Sequence, residues 1–118
     1  MKLITAIVRP EKLDELIPAL IDQRIRGLTV TDVRGFGHQY GQLSGTAARV
    51  AVPASARMAA LLPKVRLDLL VLDDDAEMTV EAIAKHARTD TIGDGKIWVT
   101  TVGSALRVRT GDRDRAAI

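Results

Sequence analysis

The chain has 118 residues, 47% hydrophobic and 27% charged, which is the composition of one soluble globular domain and too little sequence for two cores. Cysteine is absent, excluding disulfides, thiolate catalysis and Cys-based zinc sites, and two histidines far apart, His38 and His86, exclude a His-rich metal cluster. With 17 Lys+Arg against 15 Asp+Glu the formal charge is +2, and 3% aromatic content gives no base-stacking platform, so the totals favour no nucleic-acid partner.

Residues 2–9 are predicted to form a strand closed by Pro10. The apolar run before Arg9 is too short for a signal peptide or a membrane span, so a cytoplasmic protein, not an integral membrane one, is expected. "EKLDELIPALIDQRIRG" places Leu13, Leu16, Ile17, Leu20 and Ile21 at helical spacing, predicting a helix that stops at Gly27. Pro18 cannot donate to the Asp14 carbonyl and should kink that helix without breaking it.

"LTVTDVRGF" alternates β-branched residues as a second strand. The next stretch, "GHQYGQLSGTAARVAVPASARMAAL", sustains no period and predicts a long loop over residues 38–61, which a compact domain rarely carries without a use. "LPKVRLDLLVLDDD" reads as a third strand. Its acids Asp73, Asp74 and Asp75 should cap the helix "AEMTVEAIAKHART", whose expected buried stripe is Val80, Ile83, Ala84 and Ala87. "TIGDGKIWVTTV" is a tight turn followed by a fourth strand, and the tail "RVRTGDRDRAAI" carries Arg107, Arg109, Arg113 and Arg115. For Arg113 and Arg115 a solvated tail is the plainer reading.

The order strand, helix, strand, loop, strand, helix, strand predicts an α+β, ferredoxin-like βαββαβ fold, with an antiparallel sheet, both helices on one face and residues 1–118 as a single domain. Val, Ile and Thr on both sides of most strands imply that the face left bare by the helices packs on copies of the chain. Gly93 and Gly95 would let backbone N–H groups approach a phosphate, with Lys96 adding charge, although most such turns are only tight turns. On an extended segment Arg107 and Arg109 point to the same side and could grip one anion.

The blocks "MKLITAIVRPEKLDEL", "GLTVTDVRGFG", "LPKVRLDLLV", "IGDGKIWV" and "RVRTGDRDRAAI" occur in an order that resembles the PII signal-transduction proteins, which report nitrogen and energy status. The resemblance implies a homotrimer with nucleotide sites in clefts between subunits and a protruding loop that docks on a target protein. It implies that Thr29, Gly35, Gly37 and Asp68 frame the adenine and ribose of ATP or ADP. Gly93, Asp94, Gly95 and Lys96 of one subunit would meet the phosphates together with Arg107 and Arg109 of the next. His38 stands near the phosphate end, and Gln39 matches the position that helps hold Mg²⁺ together with 2-oxoglutarate. Lys64 matches the lysine that meets that ligand's carboxylate, or is a solvated lysine at a strand start.

Several positions depart from the family pattern. The loop's middle, "SGTAARVAVPASARMAA", has no tyrosine, and Tyr40 lies at its base, so control by nucleotidylation is not expected. His38 and Tyr40 stand where basic residues are usual, while Asp90 and Thr91 replace a more usual Gly-Lys pair, removing charge that would favour ATP over ADP or AMP. Arg49 and Arg57 flank the loop's apolar part, where they would plug a channel, pair with an acidic target or simply solvate the loop. The resemblance implies a trimeric regulator that senses ATP and ADP, with 2-oxoglutarate as a further ligand, and controls a transporter or an enzyme through its loop, joining the membrane when the target is a transporter. No catalytic residue is expected, because "GDGK" lacks the length and the Ser/Thr of a Walker A motif. Slow ATP hydrolysis, or an adenylate sensor of a non-nitrogen pathway without 2-oxoglutarate, are the alternatives.

Overall fold

A computed structural model describes residues 1–37 and 61–118. In chain order the elements are β1 (Lys2–Val8), a 3₁₀ turn (Pro10–Lys12), α1 (Leu13–Asp22), β2 (Thr29–Gly35), β3 (Leu62–Val71), a second 3₁₀ turn (Asp73–Asp75), α2 (Ala76–Ala87), β4 (Lys96–Thr101) and a last 3₁₀ turn (Asp114–Ala117). The sheet order is β2-β3-β1-β4, with every pairing antiparallel, so β1 and β3 are central. This is the expected ferredoxin-like arrangement. The long loop over residues 38–61, with His38, Gln39, Tyr40, Arg49 and Arg57, lies outside the described residues except at Leu61.

Because side chains alternate along a strand, register settles what each face carries. Ile4 lies opposite Leu69 on one side and Val99 on the other, which puts Ile4, Ala6, Val8, Val65, Leu67, Leu69 and Val71 on the helix side. There they close a buried core with Leu16 and Leu20 of α1 and Ala82, Ile83 and Ala87 of α2. Each Val, Leu or Ile among them contributes about 1.5–3 kcal/mol by leaving water. Thr79, the polar group inside this layer, donates its hydroxyl to the Asp75 carbonyl at 2.7 Å. Among the described residues no helix lies over the other face. Leu3, Ile7, Leu70 and Trp98 share it with Thr5, Thr29, Lys64, Arg66 and Asp68, so it is mixed rather than uniformly apolar.

Three local expectations need correction. Helix α1 ends at Asp22, not at Gly27, because Arg24 takes a left-handed conformation with φ of 62°. Its N–H then bonds the Ile21 carbonyl at 2.8 Å, and that of Ile25 bonds the Leu20 carbonyl at 3.1 Å, a Schellman closure in which Ile25 packs on the core. Accordingly Ile21 is exposed, not part of the buried stripe. Asp73–Asp75 wind into a 3₁₀ turn and cap nothing: Asp75 already has helical backbone angles, so its carboxylate cannot swing onto the first N–H groups of α2. In α2 the buried positions are Thr79, Ala82, Ile83 and Ala87, whereas Ala84 is exposed.

Candidate functional site

A hollow of about 480 Å³ opens beside the first residues of β1, lined by Leu3, Arg26, Gly27, Leu28, Thr29, Asp68, Leu70, Arg107, Ala117 and Ile118. That volume suits a small molecule. Thr29, Asp68 and Arg107, far apart in sequence, meet here. The Asp68 carboxylate accepts two bonds from Arg66, at 2.8 and 3.0 Å, and one from the Thr5 hydroxyl at 2.7 Å. Arg66's hydrogen bonds first, then that of Thr5, hold the Asp68 carboxyl below the ordinary aspartate range. Arg107 donates from Nη1 to Asp112 at 3.3 Å and from Nη2 to the Ile118 backbone oxygen at 3.0 Å.

Arg109 does not project beside Arg107 from an extended segment. The chain reverses here: the N–H groups of Thr110 and Gly111 both bond the Arg107 carbonyl, at 3.3 and 2.8 Å, and the N–H of Arg107 bonds the Asp112 carbonyl at 2.9 Å. Gly111 has φ of 77°, and Thr110 donates its hydroxyl to Asp112 at 2.6 Å. Arg109 is therefore an exposed turn residue. Arg113, bridged to Leu106, and Arg115, 4.0 Å from the Asp74 carboxylate, are also exposed.

The glycine turn lies at the opposite end of β1. From Leu3, beside the hollow, to Ile7, beside the turn, is four strand residues, about 13 Å. Gly93 and Gly95 have φ of 107° and 89°. At Gly95 the need for glycine is steric as well, since a Cβ there would sit 1.7 Å from the Ile7 carbonyl oxygen. Lys96, opposite Ile7, begins β4 with an exposed side chain. Lys64 donates to the Gly93 carbonyl at 2.7 Å, so it is tied to the turn and not merely solvated. Partial burial, then the Arg9 charge, lower its pKa, against the opposing pull of Glu11 and Asp94.

Asp94 accepts the Thr89 N–H at 2.7 Å, the Thr89 hydroxyl, and Arg9 Nε at 3.0 Å. The Thr89 hydroxyl, its amide and then Arg9 hold the Asp94 carboxyl well below the usual carboxylate range. Arg9 Nη2 reaches the Thr91 hydroxyl and the Ile92 carbonyl, both at 2.8 Å. Asp90 pairs with Arg88 and adopts φ of 58°, a conformation that favours glycine and that aspartate tolerates. Asp90 thus takes a glycine-favoured conformation while adding a negative charge.

Gly35, opposite Leu62, and the exposed Gly37 lie at the turn's end of the sheet and not beside Thr29. His38 and Gln39, proposed for nucleotide and metal, fall outside the described residues. Among the described residues no group of three or more His, Cys, Asp or Glu could hold a metal ion. Arg26, Gly27 and Leu28 were missed because the helix was expected to reach Gly27. Had its end been placed at Asp22, their position directly before Thr29 would have marked them.

These features define a small α+β domain whose hollow and glycine turn occupy opposite ends of one central strand. The model of the family described as nitrogen regulatory protein P-II matches residues 1–112, and the chain belongs to that family. It is similar to nitrogen regulatory protein P-II 1 of Methanothermobacter thermautotrophicus, 46% identical over 118 residues covering all of this chain and 97% of the relative. It is 42% identical, with both chains covered in full, to nitrogen regulatory protein P-II of Cereibacter sphaeroides and to P-II 1 of Escherichia coli strain K12. Proteins of this family are regulatory signal-transduction proteins rather than enzymes. No helix among the described residues is long and apolar enough to cross a membrane.

Proposed function

We propose that the protein is a homotrimeric adenine-nucleotide sensor that converts the ATP/ADP state, and through 2-oxoglutarate the nitrogen and carbon state, into the conformation of a target-binding loop. The observation that carries this reading is the division of the site. The hollow at Thr29, Asp68 and Arg107 offers space for a base and ribose but no phosphate cradle, while the turn at Gly93–Lys96 offers a cradle and no hollow. A neighbouring copy that lays its turn against this hollow completes both. Head-to-tail contacts of this kind form a closed ring when the rotation permits, and three copies supply three sites.

Gly35 and Gly37 lead from the turn's end of the sheet into residues 38–61, so a phosphate at the turn would sit at the same end of the sheet as the start of the target-binding loop. A ligand that contacts the loop base in one conformation shifts the population toward it by its differential affinity. Lys64, already on the Gly93 carbonyl, is the residue through which a carboxylate effector reaches the turn; Gln39 supplies the Mg²⁺ position shared with the phosphates and 2-oxoglutarate. The target is a cytoplasmic enzyme or a transporter, the latter drawing the protein to the membrane. Asp90 and Thr91, which remove positive charge from the turn, favour as a second reading an adenylate sensor without 2-oxoglutarate. Calorimetric titration with ATP, ADP and AMP, with and without Mg²⁺ and 2-oxoglutarate, separates the two. Oxoglutarate heat that depends on Mg²⁺-ATP supports the first; nucleotide heat alone supports the second; no nucleotide heat overturns both.

A further inference from the structure

Each threonine hydroxyl has one proton, and this fixes the direction of every bond around the turn. Thr89 donates to Asp94, so in its 2.6 Å contact with Thr91 it must accept, and Thr91 must donate. Thr91 in turn accepts from Arg9 Nη2, while Arg9 Nε donates to the other end of the same chain at Asp94. The result is a closed ring, Arg9 to Thr91 to Thr89 to Asp94 and back to Arg9, with the Ile92 carbonyl held by the same guanidinium. Rings that begin on a cation and end on an anion polarise every member in the same sense.

From this geometry we infer that Thr91 and Arg9 are positioning residues for the phosphate turn: their ring fixes residues 91–95 so that the backbone amides face a nucleotide's phosphates. The inference rests on the nucleotide reading above. Arg9 serves because a planar guanidinium reaches Asp94, Thr91 and Ile92 at once, which an ammonium cannot. Arg9 and Asp94 are only 17% and 24% exposed, so water competes weakly for the bond between them, while Thr89 and Thr91 complete the ring on the exposed side. Thr91, where a lysine is more usual, keeps the ring neutral overall: the Arg9 cation is balanced by the Asp94 anion.

The test is Thr91→Val, which removes one ring member and keeps shape and charge, with Arg9→Lys as a second variant. Amide exchange is measured on the free protein, and ATP affinity by calorimetry. The ring predicts faster exchange at residues 92–96 with unchanged protection in β1 and β3, and ATP affinity lowered about five- to tenfold, the worth of one hydrogen bond. Arg9→Lys should lose at least as much while keeping its charge. Unchanged exchange at the turn, unchanged affinity where the parent protein binds ATP, or loosening of β1 and β3 in step with the turn, each overturns the positioning role. A parent protein that gives no heat with ATP overturns the nucleotide reading and this role with it.

Discussion

Asp94 and Asp68 both titrate below an ordinary aspartate, the first through Thr89 and Arg9, the second through Arg66 and Thr5. Unfolded aspartate titrates near pH ~3.9, so a carboxyl depressed in the folded state adds stability above that pH and loses it as pH falls through the folded value. The urea midpoint should therefore hold between pH 7 and about 5, fall below about pH 4, and fall less in Asp94→Asn. A midpoint that rises on acidification would contradict this. For binding, Lys96→Ala and Arg107→Ala should each weaken ATP by about 1.5–3 kcal/mol, the scale of a charge-assisted hydrogen bond. Calorimetry checks both, and unchanged affinity in the pair removes the proposed site.

Among the elements, the strands were legible because period-2 apolar runs are bounded by Pro10, Gly27, Gly35 and the glycine turn; β1, β2 and β4 fell within a residue or two of expectation, and β3 ends at Val71, before the acids. Helix ends were not, because Arg24 occupies a left-handed position that sequence reasoning reserves for glycine. Left-handed backbone costs a non-glycine residue roughly 1–2 kcal/mol, part of which glycine returns as unfolded-state entropy. Arg24→Gly should thus stabilise the chain by about 0.5–1 kcal/mol in chemical denaturation. The turn at Gly95 makes the opposite case. A methyl 1.7 Å from the Ile7 oxygen has nowhere to go, so Gly95→Ala should cost about 3 kcal/mol or more and loosen the β1–β4 pairing, visible as lost amide protection at Ile7 and Lys96. Wild-type stability in that variant would show that β4 can shift without penalty.

At the scale of the whole molecule, the glycine turn was readable as a contiguous motif, whereas the hollow was not, since its walls come from residues 3, 26–29, 68, 70, 107 and 117–118. No local pattern joins such positions; only the sheet order does. The same sheet order places the two half-sites at opposite ends of β1, and the central claim is that they meet between copies. Co-expression of differently tagged Lys96→Ala and Arg107→Ala chains tests it. In the proposed trimer either variant alone would lack one half of every site, but a mixed trimer would contain one interface where an intact turn faces an intact arginine. The account predicts that each homotrimer binds ATP poorly and that purified mixed trimers regain a site of parental affinity. Mixed trimers no better than their parents would show that turn and hollow do not join across subunits.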